Sequence, residues 1–229
     1  MNPSHLEIES VIAEEAAAHA RAAEELNPFG DSEALELGSA RLVYSGQWSP
    51  VHGCFALGLD GPVEARDFHE VERFFLKKER RSAYWICPGT DSSLLSFLDR
   101  DFHAAKKTAV SGAEPRDLPL PAPAGESRPD FPSWALAFTK TLDPAAKEVG
   151  LFALTKLHQK ETRYYLGKEP GAASYTFFRN GIAFIPFPST PELLALQIHD
   201  SANFRCRYVV VLGKSPLTFL YERTLYERI

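Results

Sequence analysis

Residues 181–213 read GIAFIPFPSTPELLALQIHDSANFRCRYVVVLG, and this stretch contains the clearest structural signals of the chain. The apolar run 181–187 is bounded by turn residues, which predicts a buried strand. The sequence STPE at 189–192 predicts a helix start, because a hydroxyl caps free N–H groups and proline suits the first helical position. A mostly apolar helix follows, and the β-branched run 208–213 predicts a second buried strand. A strand, a helix and a strand joined by short loops form a βαβ unit, in which the two strands are parallel.

The composition is typical of a folded protein with one large domain or two small ones. The chain has 229 residues, of which 45% are hydrophobic and 24% charged, and its net charge is −5. Because the charge is spread along the chain, no nucleic-acid partner is expected. One basic cluster, 77–81, is interpreted either as the solvated end of a helix or as an anion-binding patch. No apolar run approaches the roughly 20 residues that span a bilayer, so we expect a cytoplasmic protein with no membrane partner.

The cysteines and histidines predict neither a disulfide nor a metal site. Cys54, Cys87 and Cys206 are far apart, odd in number and in apolar contexts, which favours reduced, buried thiols. The histidines lack metal-ligand spacing, so no metal is expected. His199 and Asp200, at the end of the central helix, are interpreted as a solvated helix terminus.

Helices and strands alternate on both sides of a proline-rich segment. Before that segment, hydrophobic spacing predicts a helix over 6–26, strands over 41–45 and 51–59, an amphipathic helix over 63–80, a strand over 83–87, a helix capped by Asp91 and a strand over 105–111. After it, the pattern predicts a strand over 134–139, a helix over 144–159, strands over 163–167 and 172–179 and a last helix over 215–223. Asn180-Gly181 predicts a two-residue hairpin turn into the central strand.

The proline-rich segment, residues 114–132, is predicted to be an extended, exposed connector. It separates residues 1–113 from residues 133–229, two halves of similar organisation. The predicted fold class is therefore α/β, or α+β in the stricter sense, with a mixed sheet flanked by helices in each half.

This order of elements resembles the GNAT superfamily of acetyl-CoA-dependent N-acetyltransferases. Residues 180–187 (NGIAFIPF) resemble the hairpin entry and central strand of that fold, and 208–212 (YVVVL) resemble the next strand, which splays away to admit the pantetheine arm. Residues 220–223 (LYER) resemble the family's final helix. In the first half, 53–62 (GCFALGLDGP) and 87–95 (CPGTDSSLL) resemble the front domain of two-part GNAT-like proteins.

The resemblance implies transfer of an acetyl group from acetyl-CoA to the amine of a small molecule or peptide. Tyr221 then occupies the position of a tyrosine that protonates the leaving CoA thiolate. The alternative for Tyr221 is a packing tyrosine whose hydroxyl has a local partner. The residues implied to contact the cofactor are Phe184, Ile185, Phe187, Ser189 and Thr190.

The loop that would bind the CoA pyrophosphate departs from the family pattern. That pattern is Arg/Gln-x-x-Gly-x-Gly/Ala, whose backbone N–H groups surround the phosphates. Here residues 187–192 (FPSTPE) contain neither glycine nor arginine; Pro188 and Pro191 lack N–H groups, and Glu192 adds a negative charge. We therefore predict a degenerate active site that binds acetyl-CoA weakly, and the alternative function is a non-catalytic GNAT-fold binding or scaffolding module.

Overall fold

The computed structural model describes residues 3–46, 51–116, 118, 121–140, 149–188, 190–213 and 215–229. The chain forms two compact units, Pro3–Thr108 together with Tyr221–Ile229, and Ala109–Leu220. The division into 1–113, a connector 114–132 and 133–229 stays a prediction. The two compact units differ from it in that the C-terminal segment 221–229 belongs to the first unit and the connector to the second.

The first unit has helices packed on a mixed sheet. Its elements are α1 (His5–Leu26), β1 (Glu33–Leu37), β2 (Ala40–Tyr44), β3 (His52–Phe55), α2 (Ala65–Lys77), β4 (Ala83–Ile86), α3 (Ser92–Leu98), most of β5 (Phe102–Ala113) and most of β11 (Thr218–Arg228). The strand order is β1-β2-β3-β4-β11-β5. Strands β1, β2 and β3 are antiparallel neighbours, and β4 runs parallel to β3.

The second unit repeats this arrangement. Its further elements are β6 (Glu126–Ser127), α4 (Phe131–Thr139), α5 (Val149–His158), β7 (Thr162–Leu166), β8 (Ala173–Arg179), β9 (Ile182–Ile185), α6 (Pro191–Asn203) and β10 (Tyr208–Leu212). The strand order is β5-β10-β9-β8-β7-β6. As in the first unit, three antiparallel strands are followed by a helix and a parallel strand. The predicted α/β fold of two similar halves is confirmed.

The central βαβ unit is confirmed in detail. Strands β9 and β10 are parallel neighbours, paired from Ile182–Tyr208 to Ile185–Val211. The hairpin turn before β9 is formed by Asn180 and Gly181, whose φ angles of 52° and 72° are the positive values that a two-residue turn of this type requires. Local turn and cap signals therefore fix where this unit begins and ends.

Two sequence predictions are wrong. Residues 134–139, predicted as a strand, lie in helix α4, because the Asp130 carboxylate accepts a hydrogen bond from the Ser133 N–H at 3.0 Å and caps the helix. Residues 215–223, predicted as the last helix, begin with a turn and continue into strand β11. This strand is rich in aromatic and β-branched residues and pairs antiparallel with β4.

Each unit has its own apolar core. In the first unit the core includes Val71 and Phe75 of α2 against Leu42 and Tyr84 of the sheet. In the second unit the core side of β9 and β10 packs against α6. Among the described residues, no helix combines the length and the apolar character that crossing a bilayer requires.

Candidate functional site

The turn between β9 and α6 is where the resemblance places the phosphates of the cofactor. Thr190 caps α6, since its Oγ1 accepts a hydrogen bond from the Leu193 N–H at 3.3 Å. Pro191 is the first helical residue and has no N–H, and Glu192 places a carboxylate in the first turn. Ser189 lies outside the described residues. This helix terminus therefore offers fewer donors than an ordinary one, and its carboxylate repels an anion.

The predicted cofactor contacts on and after β9 differ in accessibility. Phe184 and Ile185 are buried in the core of the second unit, whereas Phe187, two residues beyond the strand, is 37% exposed. The pairing of β9 with β10 ends at Ile185 and Val211, so Phe187 lies beyond the paired part of β9. Among the predicted apolar contacts, Phe187 is the one whose ring is accessible.

An aromatic cluster surrounds Phe187. Its ring centre lies 6.0 Å from those of Phe138 and Tyr175 and 6.2 Å from that of Phe152. Lys156 of α5 is fully buried beside these rings, with Nζ 4.9 Å from the centre of Phe152 and 4.7 Å from that of Tyr175. This lysine could not be identified from the sequence, because lysines are rarely buried and nothing in the local pattern marks it.

Hydrogen bonds hold the backbone next to the cluster. The Ser174 hydroxyl donates to the Phe187 carbonyl at 2.6 Å, and the Gln197 side-chain amide donates to the Ser174 hydroxyl at 3.1 Å. The Trp134 indole N–H donates to the Ser174 carbonyl at 2.8 Å. Residues of β8, α4 and α6 therefore fix Phe187 where β9 ends.

Tyr221 lies on a strand and is grouped with the first unit, whereas the other described site residues belong to the second. It is buried, and its hydroxyl donates to Glu9 Oε1 of α1 at 2.9 Å. Burial, followed by the negative charge of Glu9, raises the pKa of the Tyr221 hydroxyl well above its ordinary value. The phenol is therefore neutral and held by a structural partner, and its role as an acid stays a prediction.

A buried ion pair adjoins Tyr221. Arg223 Nη2 lies 3.2 Å from Glu9 Oε2, and both side chains are 2% exposed. The Arg223 guanidinium lies 4.2 Å from the ring centre of Trp85 and 5.6 Å from that of Phe55. These two rings belong to the residues that directly follow the paired residues Cys54 and Tyr84 of β3 and β4, so the guanidinium contacts both strands. No local sequence pattern marks this cluster.

Comparison with solved structures gives matches along nearly the whole chain. A GCN5-related N-acetyltransferase from Kribbella flavida has a TM-score of 0.60 at 10% identity, covering 93% of this chain and 95% of that one. A GCN5-related N-acetyltransferase from Sphaerobacter thermophilus has a TM-score of 0.53 at 13% identity, covering 95% and 91%. A tandem GNAT protein from the clavulanic acid biosynthesis pathway has a TM-score of 0.54 at 14% identity, covering 98% and 93%.

The chain has a two-part GNAT-like fold. At these identities the likeness shows the fold alone. No protein-family model and no curated protein matches the sequence.

The strand-to-helix turns of both GNAT-like units are acidic. In the first unit, Glu64 precedes α2 and its N–H donates to the Asp67 carboxylate at 3.3 Å, so carboxylates occupy that helix terminus. In the second unit, Glu192 is the second residue of α6, directly after Pro191. Neither turn fits a CoA pyrophosphate, because helix N-termini bind anions through free N–H groups without competing negative charge. The accessible ring of Phe187 does fit the apolar acyl and pantetheine end of the cofactor.

Asp200 corrects a further prediction. Instead of being solvated, its Oδ2 accepts hydrogen bonds from Arg163 at 2.6 Å and from Tyr165 and Ser127 at 2.9 Å. Burial alone would raise the pKa of Asp200, but these hydrogen bonds, led by that of Arg163, outweigh it and lower the pKa. Asp200 therefore ties the end of α6 to β6 and β7 as a charged group.

Proposed function

We propose that the protein is a GNAT-type N-acyltransferase, which moves an acetyl group from acetyl-CoA to the amine of a small molecule or peptide. The observation that carries this proposal is the fold itself. The chain resembles GNAT proteins over nearly its whole length, and its second unit keeps the parallel β9–α6–β10 arrangement with an accessible aromatic ring at the end of β9.

In this proposal the second unit holds the acyl end of the cofactor. The cofactor supplies an activated thioester. The ring of Phe187 gives its acetyl and pantetheine groups an apolar surface, and Ser174 holds the Phe187 backbone in place. Thr190 keeps a hydroxyl hydrogen to donate, because its oxygen serves as the acceptor of the cap. The pyrophosphate contributes little affinity, so binding is weak.

We assign Tyr221 to the packing alternative. Its hydroxyl already donates to a buried carboxylate, and burial holds its proton. A Tyr221→Phe variant should therefore be less stable, while activity per folded molecule and its pH profile stay unchanged. A selective loss of kcat in a fully folded variant would restore the assignment as the acid.

A second candidate is a non-catalytic GNAT-fold binding or scaffolding module. The specific observation that favours it is the pair of acidic strand-to-helix turns, Glu64–Asp67 and Thr190–Glu192, which weaken cofactor binding in both units. Binding without turnover would fit this candidate.

The experiment combines thermal-shift titration of the full chain with mass-spectrometric detection of acetylated amines. We expect acetyl-CoA to raise the melting temperature and a product to form only when acetyl-CoA, an amine and protein are all present. Phe187→Ala should weaken the shift, whereas Phe29→Ala, which removes a ring that is 97% exposed in the first unit, should not. A shift without product supports the second candidate, and the absence of both contradicts the acyltransferase proposal.

A further inference from the structure

A cavity bordered by arginines lies at one end of the first unit's sheet. Its volume is about 430 Å³, and its lining includes the α2–β4 turn, residues 79–83, together with His52, His103 and Arg228. A second cavity of about 430 Å³ shares Arg80, Arg81, Ser82 and Arg228 with it. We call these two cavities together the arginine cavity.

The arginine cavity is separate from the turn at which the fold family places its cofactor. His52 is the first residue of β3 and Ala83 the first residue of β4, and both line the cavity. The turn into α2 follows the opposite end of β3. A ligand in the arginine cavity therefore does not depend on the proposed acyl transfer.

The basic run 77–81 is divided between paired and unpaired cations. Lys78 is neutralised, since its Nζ lies 3.3 Å from Asp31 and 2.8 Å from Glu33. By contrast, Arg80 and Arg81 have no carboxylate partner among the residues that the structure describes. The Arg80 guanidinium lies 6.0 Å from the ring centre of Tyr44, and Arg81 donates to the Arg228 carbonyl at 3.4 Å.

Arginines exceed the carboxylates in the first of the two cavities. Its lining has three arginines, Arg80, Arg81 and Arg228, against Glu79 and Glu227. Arg228 also contacts Glu72 at 2.5 Å, and Glu72 accepts a further hydrogen bond from the Tyr84 hydroxyl at 2.8 Å. The two guanidinium groups that remain without a carboxylate are therefore those of Arg80 and Arg81.

Ser82 gives a second, independent indication of a ligand. It lines both cavities, its side chain is buried, and its hydroxyl has no hydrogen-bond partner within the described part of the chain. Buried hydroxyl groups are normally paired, and an unpaired one beside a cavity often has a ligand or water as its partner.

We propose that the arginine cavity binds a phosphate group carried by a small molecule. The planar guanidinium forks of Arg80 and Arg81 match the oxygens of a tetrahedral oxyanion, and guanidinium–phosphate hydrogen bonds are among the strongest in proteins. The volume is within the range of small-molecule sites and leaves room for an organic group beside the phosphate.

The test titrates the full chain with inorganic phosphate and with adenosine 5′-monophosphate, at constant ionic strength maintained with sodium chloride. Calorimetry and thermal shift report binding. We expect both probes to bind and to raise the melting temperature more than chloride does. Tighter binding of the nucleotide would show that the site accepts a phosphate ester with its organic group, and equal affinity would show that the phosphate alone is recognised.

Arg80→Gln and Arg81→Gln should each weaken phosphate binding by about tenfold, since each removes charge-assisted hydrogen bonds. Both residues are exposed, so the variants should fold. Arg66→Gln removes the same charge from an exposed position on α2 outside the cavity and should leave affinity unchanged. Ser82→Ala should weaken binding without changing the net charge. The proposal is overturned if phosphate acts no differently from chloride, or if Arg66→Gln weakens binding as much as the cavity variants do.

Discussion

The buried pair of Glu9 and Arg223 gives a sharp test of the first unit. Replacing Arg223 by Met keeps a long apolar side chain against Trp85 but leaves the Glu9 carboxylate buried, with the Tyr221 hydroxyl as its remaining hydrogen-bond partner among the residues that the structure describes. A buried charge without its counter-ion is costly, because the desolvation of the carboxylate is no longer offset. We therefore expect Arg223→Met to be strongly destabilising.

The magnitude follows from the burial of the pair. Both side chains are 2% exposed, so the pair is fully buried. Removing one partner of such a pair lowers the free energy of unfolding by about 3–5 kcal/mol. For a chain of this size, each kcal/mol lowers the melting temperature by about 2–4 °C, which gives a decrease of about 6–20 °C. The double variant Glu9→Gln/Arg223→Met contains no unpaired charge and should recover most of this loss.

Thermal unfolding of the original protein, Glu9→Gln, Arg223→Met and the double variant, followed by circular dichroism, measures the coupling energy between Glu9 and Arg223. Arg179→Met is the control, since the Arg179–Glu161 pair is exposed at both ends and should contribute less than about 1 kcal/mol. If Arg223→Met costs no more than this control, or if the double variant is less stable than either single variant, the buried pair is not the stabilising interaction described here.

Three further outcomes are expected. Asp200→Asn should destabilise the protein. Because the pKa of Asp200 is below its ordinary 3.8, the stability lost in the variant should be constant above that pH and shrink as the pH falls below it. Urea denaturation between pH 3 and 7 measures this loss, and a loss that grows in acid would contradict the assignment of Asp200 as a charged, hydrogen-bonded group. The three buried cysteines should react slowly with a thiol reagent in the native protein, since burial raises the pKa of each thiol, to about 11 for Cys206. Rapid labelling of all three in the native protein would refute this. Limited proteolysis should cleave the connector 114–132 before residues 181–213, because residues 121–126 are mostly exposed; first cleavage within 181–213 would rule this out.

The parts of the fold that the sequence predicts well are those with local signals. The helix start at Thr190-Pro191, the turn at Asn180-Gly181 and the β-branched strand 208–212 need only their near neighbours to form, and all three lie as predicted. The apolar run 134–139 is compatible with a helix or a strand, and the Asp130 cap decides it.

Strand β11 and the cluster around Tyr221 could not be predicted in the same way. A serine-proline pair at 215–216 is typical of a helix start, but pairing with β4, far away in sequence, makes the segment a strand. The partner of Tyr221 is Glu9, 212 positions away. No local residue spacing predicts such a long-range hydrogen bond. The sequence therefore indicates that the Tyr221 hydroxyl needs a partner but not which residue it is.

We propose that the GNAT-like fold holds acyl-CoA by its acyl and pantetheine end and gains little affinity from the nucleotide. Calorimetric titration with acetyl-CoA and with S-acetylpantetheine, which lacks the pyrophosphate and the nucleotide, tests this directly. We expect weak binding of both, with affinities within about tenfold of each other, because the turn at Thr190–Glu192 supplies few donors and a repelling carboxylate. Glu192→Gln should then strengthen acetyl-CoA binding modestly and leave S-acetylpantetheine unaffected. Low-micromolar binding of acetyl-CoA together with no binding of S-acetylpantetheine would contradict this binding mode.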